Sequence, residues 1–148
     1  MSYRGGFPNP AKRERARALL DSSKPAASLQ LLAGSCYGAG YDTDYFHLLG
    51  RALLGCGQVE NAGRFLFLSG VRRPEYMAAI ASFLAHHSTP RNFRQLQSQL
   101  PERVRVMWRL AQFPPCVAAE LRALGWPEDT QAIIVARKQA RRKMDKRF

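Results

Sequence analysis

Three histidines and three cysteines are the side chains of this 148-residue chain best suited to nucleophilic, acid–base or metal chemistry. Their spacing works against it. Cys36, Cys56 and Cys116 form no C-x-x-C pair, whereas a zinc site takes about four nitrogen or sulfur ligands at close, characteristic intervals. His86 and His87 are neighbours, so on a helix their side chains diverge by about 100° and do not easily share an ion; near a helix end they meet the terminal carbonyls instead. His47 and Cys56 stand nine residues apart, about 13 Å along a helix axis, too far for a nucleophile–base hydrogen bond. Cys56, beside Gly57, reads as a small buried apolar side chain. Phosphate-binding loop, nucleophile elbow and zincin motif are all missing from the sequence. The expectation is a protein with no catalytic set, no metal and no cofactor.

What the chain does carry is charge. Twenty-three Lys and Arg face eleven Asp and Glu, a formal +12. The excess sits at the ends. Residues 1–24 hold six cations (Arg4, Lys12, Arg13, Arg15, Arg17, Lys24) for a net +4, and residues 137–148 hold seven for a net +6. The stretch between them is nearly neutral. A cationic end attracts acidic protein, nucleic acid or lipid headgroups alike. No apolar signal-peptide region opens the sequence, and the longest apolar runs fall far short of the ~20 residues of a membrane helix. The expected setting is the cytoplasm, with the thiols reduced and any membrane contact peripheral.

Positioning those charges falls to helices, because prolines and glycines punctuate the chain at helical lengths. Asn9-Pro10 predicts a cap and first-position proline for a helix to about Asp21. Pro25 opens a second, with Leu29, Leu32 and Ala33 on one face and Gly34 as its stop. After a loop over 34–40, further helices are predicted from Thr43 to Gly57, from Val59 to Arg72 and from Pro74 to His87. Thr89-Pro90 repeats the cap signal. Val104, Met107, Trp108 and Ala111 fall at helical spacing, as do Val117, Leu121 and Leu124 before Gly125, and a last helix opens at Pro127. Most carboxylates of the middle stretch stand near these helix starts, where they cap or offset the macrodipole. Nothing of comparable length alternates with period two. The predicted fold is all-α, one helical domain over 1–148.

Residues 43–76 carry a repeat pattern. Phe46-x2-Leu49-Gly50-x2-Leu53, then Ala62-x3-Leu66, then Pro74 follow the spacing of one tetratricopeptide (TPR) unit, with Gly57 at the turn. Gly50 and Ala62 lack bulk where two helices must approach closely; Phe46, Leu49, Leu53 and Leu66 fill the groove between them. One period upstream or downstream the pattern is degraded, so an ordinary helical hairpin in a non-repetitive domain stands beside the repeat reading. The stretch Ala62-Gly63-Arg64-Phe65-Leu66-Phe67-Leu68, after Leu49-Gly50 and Gly57, resembles a bacterial domain family of unassigned function with TPR-like hairpins, over roughly Leu19 to Leu110. That resemblance implies a short right-handed solenoid-like bundle and a binding role like that of immunity or partner proteins encoded beside toxins. It transfers no catalytic residue. The basic ends depart from the usual acidic immunity protein and point to an acidic toxin or effector as partner.

Two surfaces are candidates for that contact. One gathers Tyr41, Tyr45, Arg64, Arg72, Arg73 and Tyr76, aromatic and arginine types enriched at interface hot spots, with Arg72 and Arg73 expected to be the exposed members. The other is the basic tail over 137–148, with Arg137, Lys138, Arg141, Arg142 and Lys143 surrounding an apolar stripe of Ile133, Ala136, Ala140 and Met144 that can dock on the body. A solvated tail with no partner is the plain alternative. Nucleic acid is the rival ligand: neutralising six phosphates would give log K a salt slope of about −5, although the tail interleaves no stacking aromatics. An enzyme with a site assembled from distant residues is the third reading.

Overall fold

A computed structural model describes residues 10–33, 41–87, 93–105 and 107–145; within these, the side chains of 87, 93–95, 102–103 and 131–138 are left undescribed. The predicted loop over 34–40, the Asn9 and Thr89-Pro90 caps and Cys36 lie outside the described residues. The regular structure described is helical, with one isolated antiparallel bridge and no strand among the described residues. The chain divides into two compact units, 1–106 and 107–148.

The first unit is built from consecutive helices. Prolines start α1 (Pro10–Asp21), α2 (Pro25–Ala33) and α5 (Pro74–His87), because their missing N–H falls where a helix has no acceptor for it. Between α1 and α2 the chain reverses through Ser23 in the left-handed region (φ 60°), and the Lys24 N–H bonds Leu19 O at 2.8 Å. Ala16 and Ser28 are both fully buried, and the Ser28 hydroxyl donates to Ala16 O at 3.0 Å, so two small residues let the helices touch. α3 (Thr43–Gly55) is capped by Asp42, whose carboxylate accepts the Tyr45 N–H at 3.0 Å.

The hairpin of α3 and α4 (Val59–Ser69) follows the spacing of its small residues. A Cβ on Gly50 would lie 2.6 Å from Leu66 Cγ, and Ala62 is fully buried. Phe46, Leu49, Leu53 and Leu66 are buried around this approach. Each contributes on the order of 1.5–3 kcal/mol by leaving water. Gly63 carries the next contact: a Cβ there would stand 2.1 Å from Ala79 O on α5, so only hydrogen fits. Phe67 and Phe83 meet across the same α4–α5 seam, ring centroids 6.2 Å apart. α6 (Phe93–Gln99) and the single turn α7 (Glu102–Arg105) complete the unit, with Leu96, Leu100 and Val104 buried.

Several boundaries differ from the spacing-based expectation. α4 stops at Ser69, before Arg72, because Gly70 takes the left-handed conformation (φ 76°) and closes the helix. α3 ends at Gly55, with Cys56 as its cap. Cys56 is therefore exposed, not buried as its neighbours suggested. On α2 it is Ser28 and Leu32 that are buried, while Ala33 is exposed.

The second unit departs most. The helical spacing of Val104, Met107, Trp108 and Ala111 does not produce a helix across them. Arg109 instead is extended and bridges to Asp129, with Leu110 N–H on Glu128 O and Thr130 N–H on Trp108 O, before a 3-10 turn at Leu110–Gln112. That bridge also consumes Glu128 and Asp129, so α9 (Thr130–Asp145) begins three residues after Pro127. Glu128 pairs with Arg122, at the end of α8 (Pro115–Ala123), and this hydrogen bond holds its carboxyl below the ordinary carboxylate range. Val117, Ala118, Leu121 and Trp126 are buried, and Gly125 turns the chain after α8 with φ 94°. Ala140 and Met144, expected to dock through an apolar stripe, are exposed.

Candidate partner-binding site

Arg13 and Arg17 of α1 are engaged within the fold. Arg13 bonds both Asp42 and Asp44 across to the start of α3, Arg17 meets Asp44 at 3.0 Å, and Arg51 meets Asp21 at 3.2 Å. The same carboxylate that caps α3 therefore also ties α1 to it. Each such partly exposed pair contributes a few tenths to about 1 kcal/mol, and the positive field of this end is reduced accordingly.

The aromatic and arginine set singled out between residues 41 and 76 separates on folding. Tyr45 is 0% exposed and its hydroxyl donates to Leu32 O at 2.6 Å, which removes it from any surface. Tyr41 is half-buried, edge-on to Phe46 at 5.2 Å, with its hydroxyl on Leu68 O. Arg72, expected to be exposed, is half-buried. Its guanidinium donates to Leu66 O at 3.1 Å and Phe67 O at 3.0 Å, satisfying the carbonyls that α4 leaves at its C-terminus. Arg64 reaches Gln99 O at 2.9 Å and lies over the Phe65 ring at 4.6 Å. These four hold the fold together more than they face outward.

Arg73 and Tyr76 do stay together. Arg73 is exposed, 5.8 Å over the Tyr76 ring, and the largely buried Tyr76 places its hydroxyl 2.8 Å from His47 Nε2. Burial pushes the His47 imidazole below its ordinary value, helped by the positive charges of Arg73 and Arg51. Burial also raises the Tyr76 phenol, so at neutral pH the ring is neutral and the hydroxyl protonated. Along the sequence, His47 has Cys56 as its nearest thiol to pair with. Its real partner lies one hairpin further on, 29 residues away, a separation that no local motif signals. His86 Nδ1 lies 2.8 Å from Ser82 O, one turn back inside α5 and not at a terminal carbonyl, and 2.8 Å from Glu60.

The remaining candidates lie on α9. Every residue from 139 to 145 is exposed, and Met144 keeps 62% of its surface in solvent. Arg141, Arg142 and Lys143 have no carboxylate within ion-pair distance among the described residues. Arg137 and Lys138 belong to the same helix, but their side chains lie outside the described residues, as do residues 146–148. The last turns of α9 thus combine three adjacent cations with an exposed methionine, at the end of the helix whose dipole already favours positive charge.

Among the described residues no group of His, Cys, Asp and Glu could hold a metal ion, and no helix is long and apolar enough to cross a membrane. No protein-family model, curated protein or solved structure matches this chain.

Proposed function

We propose that this chain is a non-enzymatic binding protein of the bacterial immunity kind, acting in the cytoplasm, whose basic surface engages an acidic protein partner such as a toxin or effector. The observation that carries the reading is the end of α9, where Arg141, Arg142 and Lys143 stand beside Ala140 and Met144 with all of them exposed. Cations next to an exposed thioether suit a partner that offers carboxylates and apolar side chains together, since methionine adapts to irregular protein surfaces. Phosphates alone would leave Met144 in water. Arg73 adds an exposed cation in the first unit, just before α5. The close packing of α3 on α4 at Gly50, and of α4 on α5 at Gly63, supports TPR-like hairpins arranged as a short right-handed solenoid.

Co-expression of the full chain with the product of its neighbouring gene tests the reading. Co-purification, and protection of the host against that product, are expected. A chain that stays alone and protects nothing overturns it. A shift of generic RNA or DNA at near-physiological ionic strength, falling with salt at a log–log slope of about −5, would transfer the function to nucleic acid.

A further inference from the structure

Within the first unit, α2, α3, α4 and the segment from Ser98 to Arg105 surround a cavity of about 390 Å³. Its wall changes character with depth. Leu49, Leu53 and Phe65 are buried and form an apolar floor, while Asn61 and Arg105 are exposed at the mouth and Arg64 is half-buried between them. No carboxylate occurs among the described lining residues, whose two formal charges, on Arg64 and Arg105, are both positive. Arg64 is held in place rather than mobile: Nη1 donates to Gln99 O at 2.9 Å and the guanidinium lies over Phe65 at 4.6 Å. Arg105 stands at the rim, on the short turn α7.

The geometry points to a binding site for a small amphiphilic carboxylate, with its hydrocarbon part on the Leu49–Leu53–Phe65 floor and its head at the mouth beside Arg105 and Arg64. A guanidinium presents its donors in a planar fork that matches a carboxylate, which sets the head group. A volume near 390 Å³ lies at the small end of ligand cavities and takes a molecule of about ten non-hydrogen atoms with room for water. An alcohol of the same length would lack the charge, and an amine would meet two cations. The site is lined by residues of the first unit and does not depend on the acidic-partner reading.

Titration of the full chain with octanoate, followed by amide NMR, tests this assignment. Saturable shifts are expected at Leu53, Asn61, Arg64 and Leu100. Octanol and octylamine are expected to bind at least tenfold more weakly. Arg105→Gln, at an exposed position where folding is not at stake, should weaken octanoate at least tenfold. Octanol binding as tightly as octanoate, or an unchanged affinity in Arg105→Gln, would overturn the site. So would shifts centred on Arg141–Lys143, an outcome that would leave the acidic-partner reading standing.

Discussion

Both ends of the chain are basic, yet their cations do different things. Around α1 the guanidiniums of Arg13, Arg17 and Arg51 meet Asp42, Asp44 and Asp21, and Asp42 also caps α3. On α9, Arg141, Arg142 and Lys143 project into solvent. Net charge counted along a sequence does not separate the two cases. What separates them is whether a helix start rich in aspartate packs alongside. At one basic end Arg13 and Arg17 are part of the scaffold; at the other, Arg141, Arg142 and Lys143 are exposed.

The sharpest way to break this contrast is to destroy the scaffold alone. Gly63→Val would drive a side chain into Ala79 O, a backbone atom that cannot swing aside. The expected loss is about 3 kcal/mol or more, read as a lowered urea midpoint or no folded protein. An unchanged midpoint would refute the α4–α5 packing. Next in size, reversing Arg141, Arg142 and Lys143 to Glu should weaken an acidic partner about a hundredfold while leaving the midpoint where it was. A fall in stability instead would mean that α9 is as structural as α1.

Asp42→Ala sharpens the comparison from the opposite side. It removes a cap and the partner of Arg13 together, for an expected loss of about 1–2 kcal/mol with partner affinity unaltered. The smallest effect concerns pH. His47 is harder to protonate folded than unfolded, so its contribution is complete above the ordinary value of 6.5 and declines as pH falls toward the lowered folded value. His47→Gln, which keeps a hydrogen-bonding side chain for Tyr76, should flatten the acid limb of the stability profile. A limb that is equally steep in the variant would assign the dependence to other groups.

The helix starts were legible because proline and aspartate act locally: Pro10, Pro25, Pro74 and Asp42 each satisfy or remove an N–H within one turn. Gly50 and Ala62 were legible because close approach demands small residues at fixed intervals. What was not legible depends on reach. Arg72 turns back onto carbonyls five and six residues earlier, so an arginine beside a proline looked exposed and became a helix cap. Tyr45 is aromatic near a helix start like Tyr41, yet only the helix face decides that it is buried. The spacing from Val104 to Ala111 is helical, but a bridge formed with residues 20 positions away outweighed it, because the Arg109–Asp129 pairing satisfies backbone groups that a helix would otherwise supply.

The root of α9 rests on that same bridge. Thr130 is fully buried, and both its N–H and its hydroxyl donate to Trp108 O, at 2.7 and 3.0 Å. A half-buried indole therefore stands at the foot of the cationic helix. It furnishes an intrinsic optical gauge: pulling the helix from its base would disturb tryptophan emission, whereas fraying of its far turns would leave the signal undisturbed.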